Sequence, residues 1–211
     1  MTRFSIAPVL MGAALVVACE SEPFSPDTSE PAFAKAGAST ADVFTLTVPP
    51  VQVEGSSRVT RNNNGVSATL HTSELVPGHA YTMWMVIFNE PAGCSGACGG
   101  DDLFNAAAVV DVVYVAGNVV GDAGTSTFSG RRSAGDNSGS VFAAVGLPAP
   151  GLIDPFAAEV HLVVRDHGEA IPGQVPAQIN TFEGACTVES SFRLGDGSYP
   201  CLDVQFSVHL P

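Results

Sequence analysis

Four of the five histidines in this 211-residue chain are the side chains best suited to chemistry, because imidazole is a common ligand of zinc and copper. On one continuous strand, His161 and His167 would lie about 20 Å apart, at about 3.3 Å per residue, which is too far for one metal ion. If the chain instead turns at His167, its ring could fold back toward His161, and His71 or His209 could join them from neighbouring strands. These four histidines therefore define a candidate zinc or copper site.

The sequence Arg165-Asp166-His167-Gly168 follows an apolar stretch that is predicted to be a strand. Loops of β proteins carry binding functions, while their strands carry the packing. We therefore predict a loop at Arg165, Asp166 and His167 and take it as the preferred binding edge of the domain. The alternative interpretation is a local ion pair beside a glycine turn.

Familiar catalytic signatures are missing from the sequence. It contains no glycine-rich phosphate loop, no Gly-x-Ser-x-Gly elbow, no His-Glu-x-x-His motif and no calcium loop of the EF-hand type. Asp101 and Asp102 could ligate calcium, but adjacent carboxylates on an extended chain point in opposite directions and usually just solvate a loop. Trp84, Phe88 and Tyr114 could stack on a sugar if exposed, although Trp84 lies in the most apolar run and is predicted to be core. We predict no catalytic residue and no cofactor.

Five cysteines divide into one near the N-terminus and four farther along the chain. An even number of cysteines in an exported domain predicts disulfides. The short loop Ser95-Gly96-Ala97 can bring Cys94 to Cys98, so we favour this pair together with Cys186 and Cys201, although three connectivities are open. A zinc site made of four thiolates usually has two Cys-x-x-Cys knuckles, and neither spacing here matches.

The N-terminus has the parts of an export signal. Residues 1–3 are positively charged, and residues 6–18 form an uncharged apolar run that is short for a membrane span. The run ends in Leu15-Val16-Val17-Ala18-Cys19, which resembles the lipobox of bacterial lipoproteins. This resemblance implies lipidation of Cys19 and export to the cell membrane or outer membrane, facing the periplasm or the cell surface. The alternative is an ordinary secretory signal with a cysteine near its cleavage site.

We divide the chain into a signal peptide (residues 1–18), a lipidated N-terminus with a disordered tether (residues 19–41) and one folded domain (residues 42–211). The tether is rich in Ser, Pro, Glu and Ala and has no periodic apolar pattern, as is typical of flexible linkers. The remaining length suffices for one domain with a real core. The net charge of −13 repels phosphate groups, so no nucleic-acid partner is expected.

The composition of the domain indicates an all-β fold. Its apolar residues come in short runs bounded by Gly and Pro, not in stripes with a period of 3.6 residues. The sequence Asn62-Asn63-Asn64-Gly65 separates two strand-like segments, and Asn-Gly supplies the positive φ angles of a tight hairpin turn. On the second segment, residues 66–71, one face is predicted to be core: Val66, Ala68 and Leu70.

Residues 82–88 form a run that is apolar on both faces, which predicts a central strand covered on both sides. The turn before it, residues 75–81, has the pattern Leu-x-Pro-Gly-x-x-Tyr. This pattern resembles the tyrosine corner of fibronectin type III and related immunoglobulin-like domains, in which the tyrosine hydroxyl bonds to the backbone near the turn. The resemblance implies a single antiparallel β-sandwich of Greek-key topology with long loops, and it carries no function.

Further strands are predicted over residues 43–48, 109–120, 125–129, 157–165 and 202–210. The turn at residues 121–124 is predicted to join its two neighbouring strands into a hairpin. In the last segment apolar and polar residues alternate, which predicts a solvent-exposed polar face and a core face made of Leu202, Val204, Phe206 and Val208.

These features together favour a membrane-anchored, extracytoplasmic, non-catalytic binding or structural module. Its partners would be a lipid bilayer, through the acyl anchor, and a carbohydrate or protein ligand. The alternative function is a metal-binding protein or hydrolytic enzyme with its site around the histidines. A cleft that gathers His71, His161, His167 and His209 would favour this alternative.

Overall fold

The computed structural model describes residues 36–184 and 201–211, and within them the chain is nearly all β, as predicted. The elements are β1 (Ala36–Thr45), β2 (Gln52–Asn62), β3 (Gly65–Thr72), β4 (His79–Phe88), β5 (Val110–Val119), β6 (Ser126–Ser133), α1 (Val141–Ala144), β7 (Glu159–Glu169), α2 (Val175–Gln178) and β8 (Leu202–His209). Two 3₁₀ turns, Pro91–Gly93 and Gly100–Asp102, lie between β4 and β5.

These eight strands form one antiparallel sheet in the order β5-β4-β7-β8-β1-β2-β3-β6. The end strands β5 and β6 approach each other without a backbone ladder. Asn118 Nδ2 on β5 donates a 2.9 Å hydrogen bond to Ser126 Oγ on β6. A Cβ atom on Gly130 would come within 2.7 Å of the Val115 carbonyl oxygen, so glycine permits this close approach. The sheet therefore curls toward a barrel, and it does not divide into the two packed sheets of the predicted sandwich.

The seam between β5 and β6 also corrects a local prediction. The turn at residues 121–124 was expected to make these two strands a hairpin. In the structure β5 pairs with β4, and β6 pairs with β3. Closeness along the chain thus brings the two strands together without pairing their backbones in a ladder.

Strand β1 begins inside the segment that was predicted to be a tether. Residues 36–41 pair in register with residues 57–62 of β2. The Ser39 side chain is 2.9 Å from Nδ1 of His209, a buried ring on β8. The ordered domain therefore starts at least six residues earlier than predicted, because small residues can pair in a strand without showing an apolar pattern. In the described ranges, no helix has the length and apolarity needed to cross a bilayer.

The hairpin of β2 and β3 confirms the turn predicted from Asn-Gly. Asn62 pairs with Gly65, which leaves a two-residue turn, and the Asn64 backbone N–H donates to Asn62 Oδ1 at 2.9 Å. Gly65 has a φ of 148°, which favours glycine. The predicted core face is buried and consists of Val66, Ala68 and Leu70.

Strand β4 is central and covered on both faces, as predicted. It pairs with β5 on one side and with β7 on the other. Its inner face joins the main core through Tyr81, Met83, Met85 and Ile87. Its outer face joins a second apolar cluster through Trp84, Val86 and Phe88. Two cores, one inside the curled sheet and one outside it, therefore share this strand.

The tyrosine-corner pattern has the hydrogen bond that its resemblance implied. The backbone N–H of Val76 donates to the Tyr81 hydroxyl at 3.0 Å, across the turn that contains Gly78. The corner thus forms in a sheet that curls toward a barrel. Its geometry depends on the local turn and not on a division into two sheets.

From Gln205 onward, strand β8 has the opposite orientation to the one predicted. Its polar residues Gln205, Ser207 and His209 are buried, whereas Phe206 and Val208 are only half-buried. The interior provides partners for Gln205 and His209, whereas the buried Ser207 hydroxyl has no hydrogen-bond partner among the described residues. Thr72 Oγ1 donates to Gln205 Oε1 at 2.7 Å, and Ser57 Oγ lies 2.8 Å from His209 Nε2. Hydrogen bonding of Gln205 and His209 inside the curled sheet therefore leaves Phe206 and Val208 on the outer face, while Val204 packs against the main core.

Candidate binding cavity

The outer surface of the sheet carries a continuous apolar floor across β4, β7 and β8. The backbone register places Trp84 opposite Val163, and Val163 opposite Phe206. The neighbouring row across the same strands consists of Val86, His161 and Val208. Trp84 is 3% exposed, and its ring packs edge-on against Tyr114 at 5.6 Å. It belongs to this second core, as predicted, and not to an exposed sugar-stacking platform.

Two segments, which we call the cover, lie over the β4 and β5 part of this floor. They are the disulfide loop, residues 91–105, and residues 137–154, which include α1. Cys98, Val141 and Phe142 from these segments join the outer apolar cluster. A cavity of about 480 Å³ lies among them, with Trp84, Val86, Phe88, Val163, Phe206 and Val208 in its wall. This volume falls within the range of about 300–1,000 Å³ typical of small-molecule pockets.

The disulfide loop is fixed by covalent and polar contacts. The predicted bond between Cys94 and Cys98 is present, with the Cα atoms 5.2 Å apart. Asp102 Oδ1 accepts hydrogen bonds from the Ser95 backbone N–H at 2.8 Å and from the Ser95 hydroxyl at 3.0 Å. The bond from the Ser95 backbone is the main cause that lowers the pKa of Asp102. Asp102, a calcium candidate from sequence, thus serves as an acceptor within the loop.

A buried carboxylate holds the second segment of the cover to the sheet. Asp111 on β5 accepts a 2.6 Å hydrogen bond from the Ser140 hydroxyl, at the N-terminus of α1. Its other oxygen accepts from the Gly151 backbone N–H at 2.8 Å. Asn89, after β4, donates to the Gly151 carbonyl at 2.9 Å and accepts from the Ile153 N–H at 2.8 Å. These polar contacts position α1 over the apolar floor.

Arg165 and Phe182 form a further part of the cavity surroundings. The Arg165 guanidinium lies 4.0 Å above the Phe182 ring, donates to the Phe182 carbonyl at 3.2 Å and binds Asp203 at 2.8 Å. The Phe182 ring in turn packs edge-on against Trp84, with ring centroids 5.1 Å apart. Arg165 therefore has a structural role beside the cavity.

The predicted binding loop at Arg165, Asp166 and His167 is corrected by the structure, because β7 continues through these residues and all three are buried. Asp166 accepts from the Gly168 backbone N–H at 2.7 Å and lies 3.1 Å from Nδ1 of His79. A register shift against β4 keeps the strand paired beyond Arg165. The expected exposed edge is thus an internal polar network.

Each of the four candidate histidines has its own separate environment. His71 is exposed on β3 and contacts Thr127 Oγ1 at 2.9 Å. His167 contacts Thr82, and His209 lies inside the curled sheet beside Ser57. Burial lowers the pKa values of His167 and His209 to about 4.

Among residues 36–184 and 201–211, no group of three or more His, Cys, Asp or Glu side chains could hold a metal ion. The described geometry therefore gives the metal-site hypothesis no support.

His161 is the candidate that lines the cavity. Its Nε2 atom lies 2.7 Å from Glu159 Oε1, and its ring centroid lies 4.9 Å from that of Phe88. Glu159 and His161 are two residues apart on one strand and therefore share its outer face. The sequence contained this spacing, but the apolar residues of β8 that adjoin the pair were assigned to the wrong face.

The other predicted sites fall partly outside the described residues. Cys19 and Cys186 lie there, so lipidation of Cys19 and pairing of Cys186 with Cys201 stay predictions. Cys201 itself is buried, and its Sγ atom lies 3.3 Å from Nδ1 of His167. No family model, no curated protein and no solved structure matches the chain.

Proposed function

We propose that this protein is a non-catalytic binding module that holds a small apolar molecule between its sheet and its cover. The observation that carries the proposal is the cavity of about 480 Å³ whose floor includes the outward-facing side chains of β8. Exposure of Phe206 and Val208 to water does not stabilise the fold, since burial of apolar area is the main favourable term in folding. A bound apolar molecule would remove this area from water.

The polar contacts around the cavity support binding over catalysis. Asp102, Asp111 and Arg165 are all engaged in holding the cover or the wall in place. The cavity wall is mainly aliphatic and aromatic, which suits an apolar molecule better than the carbohydrate considered from the sequence. A fixed cover over an apolar floor is an arrangement that can select a ligand by its shape.

A membrane-anchored, extracytoplasmic location is part of the same proposal. It is supported by the apolar N-terminal run that ends at Cys19 and by the disulfide between Cys94 and Cys98. The bond between Tyr81 and Val76 likewise supports, at the level of a local motif, the resemblance to immunoglobulin-like domains.

Metabolic labelling with a fatty acid should mark the protein and should leave a Cys19→Ser variant unlabelled. Equal labelling of both proteins would contradict the anchor at Cys19.

The binding function can be tested with diphenylhexatriene, a neutral hydrocarbon whose fluorescence rises in apolar surroundings. Trp84 lines the cavity and is the only tryptophan of the chain, so energy transfer from tryptophan to the probe reports binding near that residue. We expect saturable binding of one probe molecule per chain. A Val163→Phe substitution should fill part of the cavity and weaken binding about tenfold, because overpacking costs about 1–3 kcal/mol.

The matched control is Val51→Phe, the same substitution at a residue that is 57% exposed. It should bind the probe like the unaltered protein. Circular dichroism of both variants checks that the fold is intact. The proposed function is wrong if the unaltered protein shows no saturable energy transfer, or if Val163→Phe and Val51→Phe bind the probe equally well.

A further inference from the structure

The polar pair of Glu159 and His161, whose histidine lines the cavity, has a defined hydrogen-bonding direction. Glu159 and His161 are 7% and 8% exposed, and Glu159 Oε1 lies 2.7 Å from His161 Nε2. A carboxylate can only accept hydrogen bonds, so Nε2 carries the hydrogen that joins the two side chains. In the neutral imidazole, Nδ1 is then a hydrogen-bond acceptor. With His161 neutral, the pair therefore presents a lone pair of electrons and not a donor.

This acceptor is not used within the described part of the chain. In that part of the chain His161 Nδ1 has no hydrogen-bond partner. The atom is not completely buried, so a bound molecule can reach it. The residues around His161 in the cavity wall are apolar, including Val86, Phe88 and Val208. An apolar molecule placed beside them would meet one acceptor that needs a donor.

The charges near the cavity disfavour an anionic ligand. Asp203 lines the cavity, and Arg165, the cation beside it, is already bound to its carboxylate at 2.8 Å. The Glu159 carboxylate, 2.7 Å from Nε2 of His161, is a second negative charge near the cavity. The whole chain has a net charge of −13. A ligand carboxylate or phosphate would therefore meet like charges, and no Lys or Arg stands among the described residues of this wall to offset them.

Building on the proposed function, we infer that the ligand is a neutral apolar alcohol or phenol whose hydroxyl donates to Nδ1 of His161. The apolar body occupies the floor between Trp84 and Phe206, and the hydroxyl satisfies the single acceptor beside it. A fatty acid, which has the same apolar body but an anionic head, is disfavoured by the carboxylates of Glu159 and Asp203. The polar pair thus selects the head group, while the cavity selects the body.

The test compares three competitors that share one ten-carbon chain and displace diphenylhexatriene from the purified protein. Decanol can donate a hydrogen bond, decyl methyl ether can only accept one, and decanoate is anionic. We expect decanol to compete about fivefold better than the ether, which corresponds to about 1 kcal/mol for one hydrogen bond, and better still than decanoate. His161→Phe should abolish the preference for decanol over the ether. Because His161 lines the cavity, the preference is read as the ratio of decanol to ether affinity within each protein, and this ratio does not depend on how tightly the variant binds the probe.

A second variant separates the charge argument from the hydrogen-bond argument. Glu159→Gln removes one carboxylate and should improve competition by decanoate. If the probe does not bind, the proposed function and this inference both fail. If the probe binds but the ether and decanoate compete as well as decanol, or His161→Phe keeps the preference for decanol, the inference is overturned and the proposed function stands.

Discussion

The hydroxyl oxygen of Thr82 lies 2.8 Å from Nε2 of His167, and both side chains are fully buried. The other ring nitrogen, Nδ1, lies 3.1 Å from the Gly184 carbonyl, which can only accept, so Nδ1 carries the hydrogen and Nε2 accepts from Thr82. Burial is the main cause that lowers the pKa of His167 to about 4. His209 is also buried, beside Ser57, and its pKa is lowered to about 4 for the same reason.

Acid should therefore destabilise the fold between pH 6.5 and pH 4. The unfolded chain binds protons at these histidines with a pKa of about 6.5, and the folded chain resists protonation until about pH 4. The contribution of these two neutral rings to the free energy of unfolding is thus fully present above pH 6.5. It is lost as the pH falls, by up to about 3 kcal/mol for each ring. Urea unfolding followed by Trp84 fluorescence at several pH values measures this loss. A free energy of unfolding that stays constant over this interval would contradict the prediction.

Variants assign the acid effect to particular rings. His209→Gln keeps a polar side chain but removes the titrating group, so it should lower stability at neutral pH and also reduce the loss between pH 6.5 and 4. His71→Gln changes an exposed ring and is the matched control, which should retain the full pH dependence. Identical pH dependence in these two variants would show that His209 is not a source of the effect.

Tyr81→Phe should destabilise the protein by about 1 kcal/mol, the net worth of one ordinary hydrogen bond. The substitution keeps the buried ring and removes the hydroxyl that accepts from the Val76 N–H at 3.0 Å. Val76→Ala is the control, because it trims a side chain that is 48% exposed and keeps the N–H; it should alter stability by less than about 0.5 kcal/mol. Urea unfolding at pH 7.5 compares the two, and an equal effect in both would remove the corner bond as the explanation.

Asp111→Asn should loosen the cover before it unfolds the sheet. An amide nitrogen would face either the Gly151 N–H or the Val112 N–H, both of which can only donate, and a lost hydrogen bond to a charged group costs about 1.5–3 kcal/mol. Limited proteolysis should then cut within residues 137–154 at protease concentrations that leave the unaltered protein intact. Probe binding should weaken as well, since Val141 and Phe142 line the cavity.

Asp136→Asn is the control for this loop. Asp136 lies on the same connection, where it accepts from the Ser138 N–H at 2.9 Å, but its side chain is 41% exposed. It should leave cleavage and probe binding nearly unchanged. If both variants are cut alike, the buried carboxylate of Asp111 is not what holds the cover.

The parts of the fold that the sequence predicted well are those determined by neighbouring residues. The turn before Gly65 and the corner at Tyr81 depend on local backbone preferences, and both form. Strand β4 was assigned to the centre of the sheet because both its faces are apolar, and no choice of face was needed. Local propensity and apolar content were sufficient in these three places.

The errors arise where the outcome depends on residues far apart in the chain. Alternation along β8 shows that it has two faces, but partners from other strands, Thr72 for Gln205 and Ser57 for His209, decide that the polar face turns inward. The cavity floor at Phe206 follows from that choice, so it could not be read from the strand alone. In the same way, the pairing of β7 with β4 beyond Arg165 removed the predicted loop.

The position of β8 also determines how the sheet is completed. In the ladder order, β8 lies between β7 and β1, so it joins a set of three strands (β5, β4 and β7) to a set of four (β1, β2, β3 and β6). Until residues 202–209 have been synthesised, backbone pairing leaves these as two separate ladders. The strand that is synthesised last of the eight therefore joins the two parts of the sheet. In a chain that ends before Leu202, the edges of β7 and β1 that pair with β8 would have no backbone partner.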